Sequence, residues 1–302
     1  MRKTLLYLTY GTGRHVDQLT YSVRSALDFS RGDKDYHIVV YAEDPAAVSG
    51  LAVDVVPLSR DVLAHWAGSF GYIHRRKIIA VRDALQRFGG RVVFCDTDTY
   101  FRKSPRTLFG RLGRGRSLMH IREGRLRSCN GDQLAAFLQN HDLRTLAGQP
   151  WDLTPECPMF NSGVIGLDEA DAPLVDEVVH LADQLYSQVP VFNIEQFAFA
   201  ACLASGTRLS EAYDTVYHYW RMSAPFTQHV SRVLHDSTLT DEQRFQTLML
   251  HRPAENQKLT NRFEYDLPTR VRARLRRLVA QASPRDVLDT AVSVWSRYRQ
   301  RR

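Results

Sequence analysis

Strand-like and helix-like segments alternate through the first hundred of the 302 residues, and this alternation restricts the fold more than any other feature. Apolar runs typical of strands are TLLYLTY, YHIVVYAED, VDVVPL and RVVFCD, and the helical patterns are HVDQLTYSVRSALDF and RRKIIAVRDALQRFGG. In RVVFCD every residue between the first and the last is apolar, which is typical of a strand buried on both faces. The β-α-β order predicts an α/β fold with a mixed, mostly parallel central sheet flanked by helices.

The rest of the chain is less regular. We predict an irregular stretch over residues 102–158, with one helix candidate at GDQLAAFLQNH. A strand at MFNSGVIGLD, two helices at APLVDEVVHLADQLYS and NIEQFAFAACLA, and a strand around DTVYHYW follow it. We assign residues 1–265 to one domain and residues 266–302 to a basic helical tail.

The positive charge of the chain is concentrated in that tail. The formal net charge is +7, whereas residues 268–302 alone contain ten arginines and two aspartates, a net of +8. The remaining domain is close to neutral, which argues against a nucleic-acid partner, because such a domain needs a basic face. Arginines around an apolar helical face with Trp and Tyr predict either contact with an anionic membrane surface or packing against the domain.

The sequence also predicts where the protein acts. No apolar run approaches the ~20 residues that a membrane span needs. The first residues, MRKTLLYLTYGTG, are typical of a first strand and lack the small-residue cleavage site of a signal peptide. The four cysteines show no C-x-x-C spacing and are expected as reduced thiols. We therefore expect a cytoplasmic protein that can associate peripherally with the cytoplasmic face of the membrane.

The segment VVFCDTDTYF places two carboxylates, Asp96 and Asp98, at the end of a predicted strand. Ligands bind beyond the carboxyl ends of strands in parallel sheets. The pair could cap a turn, supply the nucleophile of a haloacid-dehalogenase-type phosphatase, or bind a hard divalent ion such as Mg²⁺ or Mn²⁺. Tyr100 stands at the fifth motif position, where that phosphatase class has Thr or Val, so metal binding is favoured. With Thr97 between them, the two carboxylates can reach a metal and a ribose together.

Four segments, in this order, resemble motifs of GT-A-fold glycosyltransferases, in particular family 8. FCDTDTYF resembles their D-x-D motif, MFNSGVIGLD their NSGV strand, NIEQFAFA their acidic-Gln helix start, and VYHYW their late metal-binding histidine. The resemblance implies a Rossmann-like GT-A fold, a nucleotide-sugar donor, usually a UDP-sugar, and a divalent metal. One departure is that family 8 has Lys-Pro-Trp soon after this histidine, whereas here Arg221 is the only nearby cation in the sequence.

Candidate diphosphate ligands open the helix before the D-x-D strand. Arg75, Arg76 and Lys77 place cations beside the free amides of a helix N-terminus, which suits a diphosphate, although a solvated basic face explains them equally. By the same resemblance, the end of the first strand is expected to hold the base and ribose. Its residues are Thr9, Tyr10 and Gly11.

Candidate residues around the transferred sugar come from two later segments. The resemblance implies that Asn161, Ser162 and Gly163 face the donor sugar and the acceptor, and Gly163 inside a strand also indicates a close approach or a bulge. Glu195 and Gln196 are the catalytic candidates, together with Asn161. Glu195 could be a general base in an inverting transfer or a stabiliser of positive charge in a retaining one, and it could also merely stabilise the helix N-terminus.

Two histidines compete for the third metal position. His218 follows a strand, as the ligand does in family 8, so we prefer it to His251, which follows a helical segment. The resemblance and these residues together imply a metal-dependent enzyme that moves a hexose from a nucleotide-sugar to a hydroxyl of a glycan or lipid-linked acceptor. A sugar nucleotidyltransferase and a non-catalytic nucleotide-sugar-binding protein are the alternatives.

Overall fold

The computed structural model describes residues 1–11, 13–30, 35–129, 132–220 and 223–250. The predicted tail at residues 266–302, its boundary at residue 265, His251 and Arg221 lie outside the described residues. In the part that is described, no helix is both long enough and apolar enough to cross a membrane.

The described strands form one large sheet and one small sheet. In chain order the strands are β1 (Lys3–Thr9), β2 (His37–Ala42), β3 (Asp54–Pro57), β4 (Arg91–Cys95), β5 (Thr99–Phe101), β6 (Arg116–Arg125), β7 (Pro158–Asp168), β8 (Arg208–Glu211) and β9 (Val216–His218). The large sheet has the order β3-β2-β1-β4-β7-β6-β8, and β5 pairs with β9 in the small one. Within the large sheet, β7 is antiparallel to both its neighbours, and the other four pairings are parallel. The predicted mixed, mostly parallel sheet is therefore confirmed.

Helices connect these strands and cover the sheet. In chain order they are α1 (Arg14–Ser30), α2 (Arg60–Trp66), α3 (Arg75–Phe88), α4 (Arg106–Phe109), α5 (Asp132–Leu138), α6 (Pro173–Gln188), α7 (Ile194–Gly206), α8 (Ser223–Leu234) and α9 (Asp241–Leu250). α1 and α3 contact β1, α3 and α4 contact β4, and α7 contacts β7. Alternate side chains of β1, β2 and β4, such as Leu5 and Val93, form a buried core with apolar side chains of α1. The side chains on the opposite face of these strands, such as Leu6 and Phe94, are buried as well, as expected of strands with helices on both faces.

One prediction was wrong. The stretch 102–158, predicted as irregular apart from one helix, contains the ten-residue strand β6 in the interior of the large sheet. Its side chains do not alternate simply between buried and exposed, because the register with β7 shifts between Met119 and Ile121 and again between Arg122 and Gly124. Such bulges insert extra residues and re-aim side chains, and they remove the period-two pattern by which a strand is recognised in sequence.

Candidate metal centre

The two carboxylates lie where the chain leaves the large sheet. After the last residue of β4, the amide of Asp96 donates to the carbonyl of Gly163 on the antiparallel neighbour β7, at 2.9 Å. Asp98 then immediately precedes β5, which belongs to the small sheet. The expected position of this pair at the carboxyl end of a strand is thus confirmed.

His218 joins the carboxylates through the small sheet. The antiparallel pairing of β5 with β9 aligns Thr99 with His218. Nε2 of His218 lies 3.0 Å from Oδ1 of Asp98 and 3.9 Å from Oδ2 of Asp96. One ligand atom from each of these three side chains lies within 4.8 Å of the others, so the group could hold a metal ion.

The hydrogen bonds of His218 suit a metal ligand. Its Nδ1 lies 2.8 Å from Oδ1 of Asn161, and that same oxygen accepts the amide proton of Gly163 at 2.9 Å. Because Oδ1 of Asn161 is an acceptor, Nδ1 of His218 carries a proton and Nε2 is the nitrogen that faces the carboxylates. Metal-ligating histidines commonly donate their second N–H in this way. Two carboxylates and one correctly oriented imidazole therefore fit a divalent cation.

Burial and charge act against each other on these groups. Burial disfavours the charged form of His218, but the neighbouring carboxylates, Asp98 above all and Asp96, together outweigh it and raise the pKa of the imidazole. Burial likewise opposes ionisation of Asp98, and the charge of His218 reverses that effect and lowers the pKa of Asp98. For Asp96 burial prevails over the attraction of Lys77, so the pKa of this carboxyl is raised. A cation placed between the carboxylates would favour the ionised form of both.

Lys77 connects the carboxylates to the helix α7. Its Nζ lies 2.9 Å from Oδ2 of Asp96 and 3.1 Å from Oε1 of Glu195, and the side chain of Glu195 is almost fully buried. The same ammonium lies 3.3 Å from Oγ of Ser162 on β7. Burial opposes the charge of Lys77, but Asp96 and Glu195 together raise its pKa above the usual value. The structure thus brings Lys77 into contact with three other predicted residues, which are Asp96, Glu195 and Ser162.

Glu123 is a member of this site that the sequence analysis missed. Its buried carboxylate accepts from Nε2 of Gln196 at 2.8 Å and from Nδ2 of Asn161 at 3.3 Å. The segment around it, RSLMHIREGR, shows no regular strand pattern, and the only sequence signal is a carboxylate followed by a glycine. In the structure Gly124 has a φ of 137°, in the region that favours glycine.

The residues predicted to hold the base and ribose lie at the same edge, with Arg76 beside them. Arg76 places its guanidinium over the ring of Tyr10, 4.7 Å from the centroid, at the end of β1 next to Thr9. The amide of Gly11 donates to Glu43 at 2.9 Å. Because β1 and β4 are parallel neighbours, these residues lie at the same edge of the sheet as Asp96.

Two candidates have partners within the protein that the sequence did not indicate. Arg75 forms a bidentate pair with Asp183 of α6, at 2.7 Å and 3.0 Å, so its guanidinium is not brought to the carboxylates. The hydroxyl of Thr97 donates to Oε1 of Gln18 on α1 at 3.1 Å. Gln18 in turn donates to Thr227 of α8 at 2.7 Å, which fastens the turn between the carboxylates to two helices.

Gly163 allows the imidazole of His218 to reach the carboxylates. A Cβ at this position would lie 2.1 Å from Nδ1 of His218, too close for any side chain. We therefore expect Gly163→Ala to displace His218, to weaken Mn²⁺ binding, and to lower the free energy of unfolding by about 1–3 kcal/mol, as overpacking does. Calorimetric titration and chemical denaturation measure the two effects. Gly50→Ala is the matched control, since its Cβ meets no atom within 4 Å. Equal behaviour of both variants would contradict this role of Gly163.

No known protein-family model and no curated protein matches this chain. The structure shows a mixed α/β fold with a mostly parallel seven-stranded sheet and an Asp-Asp-His group that could hold a metal. Both are compatible with a GT-A-like fold.

Proposed function

We propose that this protein is a metal-dependent glycosyltransferase that moves a hexose from a nucleotide-sugar, most simply a UDP-sugar, to a hydroxyl acceptor. The observation that carries the proposal is the convergence of Asp96, Asp98 and His218 at the carboxyl edge of the sheet, with Lys77 and Glu195 beside them. The ordered resemblance to family 8 motifs supports the same reaction. The acceptor we propose is a glycan or a lipid-linked glycan.

Asp96, Asp98 and His218 would hold the cation. Carboxylate oxygens suit Mg²⁺ and Mn²⁺, and the imidazole favours Mn²⁺ over Mg²⁺, which prefers oxygen ligands alone. When bound, the ion supplies Lewis-acid stabilisation of the negative charge on the departing diphosphate. Thr9, Tyr10 and Gly11 lie at the adjoining strand end, where we place the base and ribose, with Arg76 stacked on Tyr10.

Lys77 and Glu195 would act on the reacting groups. The ammonium of Lys77 adds a fixed positive charge beside Asp96, and preorganised charges of this kind stabilise developing anions without reorganising. Glu195 is held in place by Lys77 at 3.1 Å and by its own amide, which donates to the hydroxyl of Tyr72 at 2.9 Å. A carboxylate fixed in this way suits a stabiliser of positive charge on the sugar, and a general base would first have to release Lys77. The side-chain amides of Gln196 and Asn161 both donate to Glu123, which holds them beside the cation site.

A ligand screen tests the proposal. UDP-, GDP- and dTDP-sugars are added to the full chain with and without Mn²⁺, and thermal unfolding and release of the nucleoside diphosphate are measured. One donor should stabilise the protein by about 2.7 kcal/mol at ~100 times its Kd, and only when Mn²⁺ is present. The same donor should be hydrolysed slowly in the presence of the metal.

The other outcomes are informative as well. Binding without hydrolysis or transfer would indicate the non-catalytic alternative. Release of pyrophosphate from a nucleoside triphosphate and a sugar phosphate would indicate a nucleotidyltransferase. If no donor binds in the presence of Mn²⁺, the proposal is wrong.

A further inference from the structure

Glu123 is a buried carboxylate that contacts two amide side chains. It lies in the bulged part of β6 and is 5% exposed. Its Oε2 accepts from Nε2 of Gln196 at 2.8 Å, and its Oε1 accepts from Nδ2 of Asn161 at 3.3 Å. An ionised carboxylate can only accept hydrogen bonds. Both amides must therefore present their NH₂ groups to Glu123.

This restriction determines which way the amide of Asn161 points. With its nitrogen on Glu123, its oxygen faces the opposite direction, where it accepts from the amide of Gly163 at 2.9 Å and lies 2.8 Å from Nδ1 of His218. A flipped amide would place NH₂ against the N–H of Gly163 and against Nδ1 of His218. The imidazole would then favour the tautomer whose proton is on Nε2, the nitrogen that faces Asp98.

We propose that Glu123 is a positioning residue for the cation, acting through Asn161 to keep the proton of His218 on Nδ1 and to leave Nε2 available as a ligand. The inference rests on the proposed cation site, which it deepens. Groups that orient a ligating histidine change metal affinity by about 10- to 100-fold when they are removed. Glu123 acts on His218 only through Asn161. We therefore expect its loss to weaken metal affinity by about 10-fold, at the lower end of that range.

The test measures Mn²⁺ affinity of the full chain by calorimetric titration. In Glu123→Gln the new side chain has one acceptor oxygen for two amides. The orientation of Asn161 then depends on the amide of Gly163 without support from a carboxylate, and the Kd for Mn²⁺ should rise about 10-fold. In the double variant Glu123→Gln with Asn161→Asp, the amide and the carboxylate exchange places. The hydrogen bond between them is retained, and a carboxylate oxygen again faces His218. Mn²⁺ affinity should then return to within about threefold of the wild type, as coupled residues do in a double-mutant cycle.

Glu242→Gln is the matched control. Glu242 is a 62% exposed glutamate of α9 paired with Arg24, so the same substitution should leave Mn²⁺ affinity unchanged. If the wild type binds no Mn²⁺, the proposed function itself fails. If the wild type binds and folded Glu123→Gln binds within twofold of it, only the role of Glu123 is overturned. Should Glu123→Gln not fold, the double variant decides alone, and weak binding by it overturns the inference.

A spectroscopic measurement separates orientation from general damage. Zn²⁺ is diamagnetic and accepts both carboxylate and imidazole ligands, so proton–nitrogen spectra can be recorded on the saturated protein. The Nδ1 proton of His218, identified by its loss in His218→Gln, should give a slowly exchanging signal in the wild type and in the double variant. In Glu123→Gln at saturating Zn²⁺ that signal should be lost to exchange. Retention of the wild-type signal in Glu123→Gln would show that Glu123 does not orient the imidazole.

Discussion

Replacing Asp98 by asparagine should abolish Mn²⁺-dependent binding and hydrolysis of the donor while the protein remains folded. The substitution keeps the size of the side chain and removes its charge, so His218 loses the carboxylate that lies 3.0 Å from Nε2. A cation at the site would lose the negative charge of one of its three protein ligands, and a neutral amide oxygen binds it more weakly than a carboxylate does. Loss of a group that only orients a ligand weakens metal affinity by about 10- to 100-fold. Because Asp98 is itself a ligand, we expect a larger loss of Mn²⁺ affinity. Titration with Mn²⁺ and release of the nucleoside diphosphate measure both effects.

Asp54→Asn is a suitable control for this variant. Asp54 begins β3 and its side chain is 67% exposed, so the same change of charge occurs far from any buried partner. It should leave donor hydrolysis unchanged. Full metal-dependent activity in Asp98→Asn would remove the basis for assigning a metal centre to this edge of the sheet.

Lys77→Met should cost both stability and activity. The variant leaves Asp96 and the buried Glu195 without the ammonium that now lies 2.9 Å and 3.1 Å from them. Removing one partner of a buried ion pair costs about 3–5 kcal/mol, because the other charge stays buried. The loss of a preorganised charge should also lower the rate of donor hydrolysis by about 10²- to 10³-fold. Urea denaturation and the hydrolysis assay measure the two losses.

The loss of stability in Lys77→Met should also depend on pH. Burial already raises the pKa of Asp96, so with Lys77 gone this carboxyl can take up a proton as the pH falls and the uncompensated charge disappears. The difference in the free energy of unfolding between Lys77→Met and the wild type should therefore be largest at neutral pH and decrease towards pH ~4. Lys103→Met is the control, since Lys103 is 54% exposed and pairs with Asp214 at the surface. Its effect should stay within about 1 kcal/mol, and an equally small effect of Lys77→Met would show that the buried cluster does not depend on its lysine.

Much of the sheet could be predicted from sequence because its strands are apolar and separated by helical patterns. β1, β2, β3 and β4 and the helices α1 and α3 are found where those patterns lie. β6 could not be recognised, because two register shifts interrupt its alternation and because His120 and Glu123 are buried polar residues within it. Sequence periodicity describes a regular strand on a half-buried face, and β6 is neither regular nor half-buried.

The site was predictable in part, for a similar reason. Asp96 and Asp98 follow directly from an apolar strand that ends in carboxylates, which is a local signal. Their contact with His218 depends on the pairing of β5 with β9, which is not local. The direction of a side chain on a helix also escaped prediction. Arg75 points to α6 and Lys77 to the carboxylates, although both lie in the first turn of α3, because residues two apart face nearly opposite sides of a helix.

The pairing of β5 with β9 closes a long loop of the chain. Three residue pairs form the register of these strands, yet Asp98 and His218, which the pairing brings into contact, are 120 residues apart in the chain. A cation shared by these two side chains would act as a reversible crosslink that closes a very large loop. The entropic cost of closing a loop grows with the logarithm of its length, and the contacts that close the loop must offset this cost. The ion would thus contribute to the folding free energy of the chain as well as to its chemistry, and chelation would loosen the protein before any substrate is added.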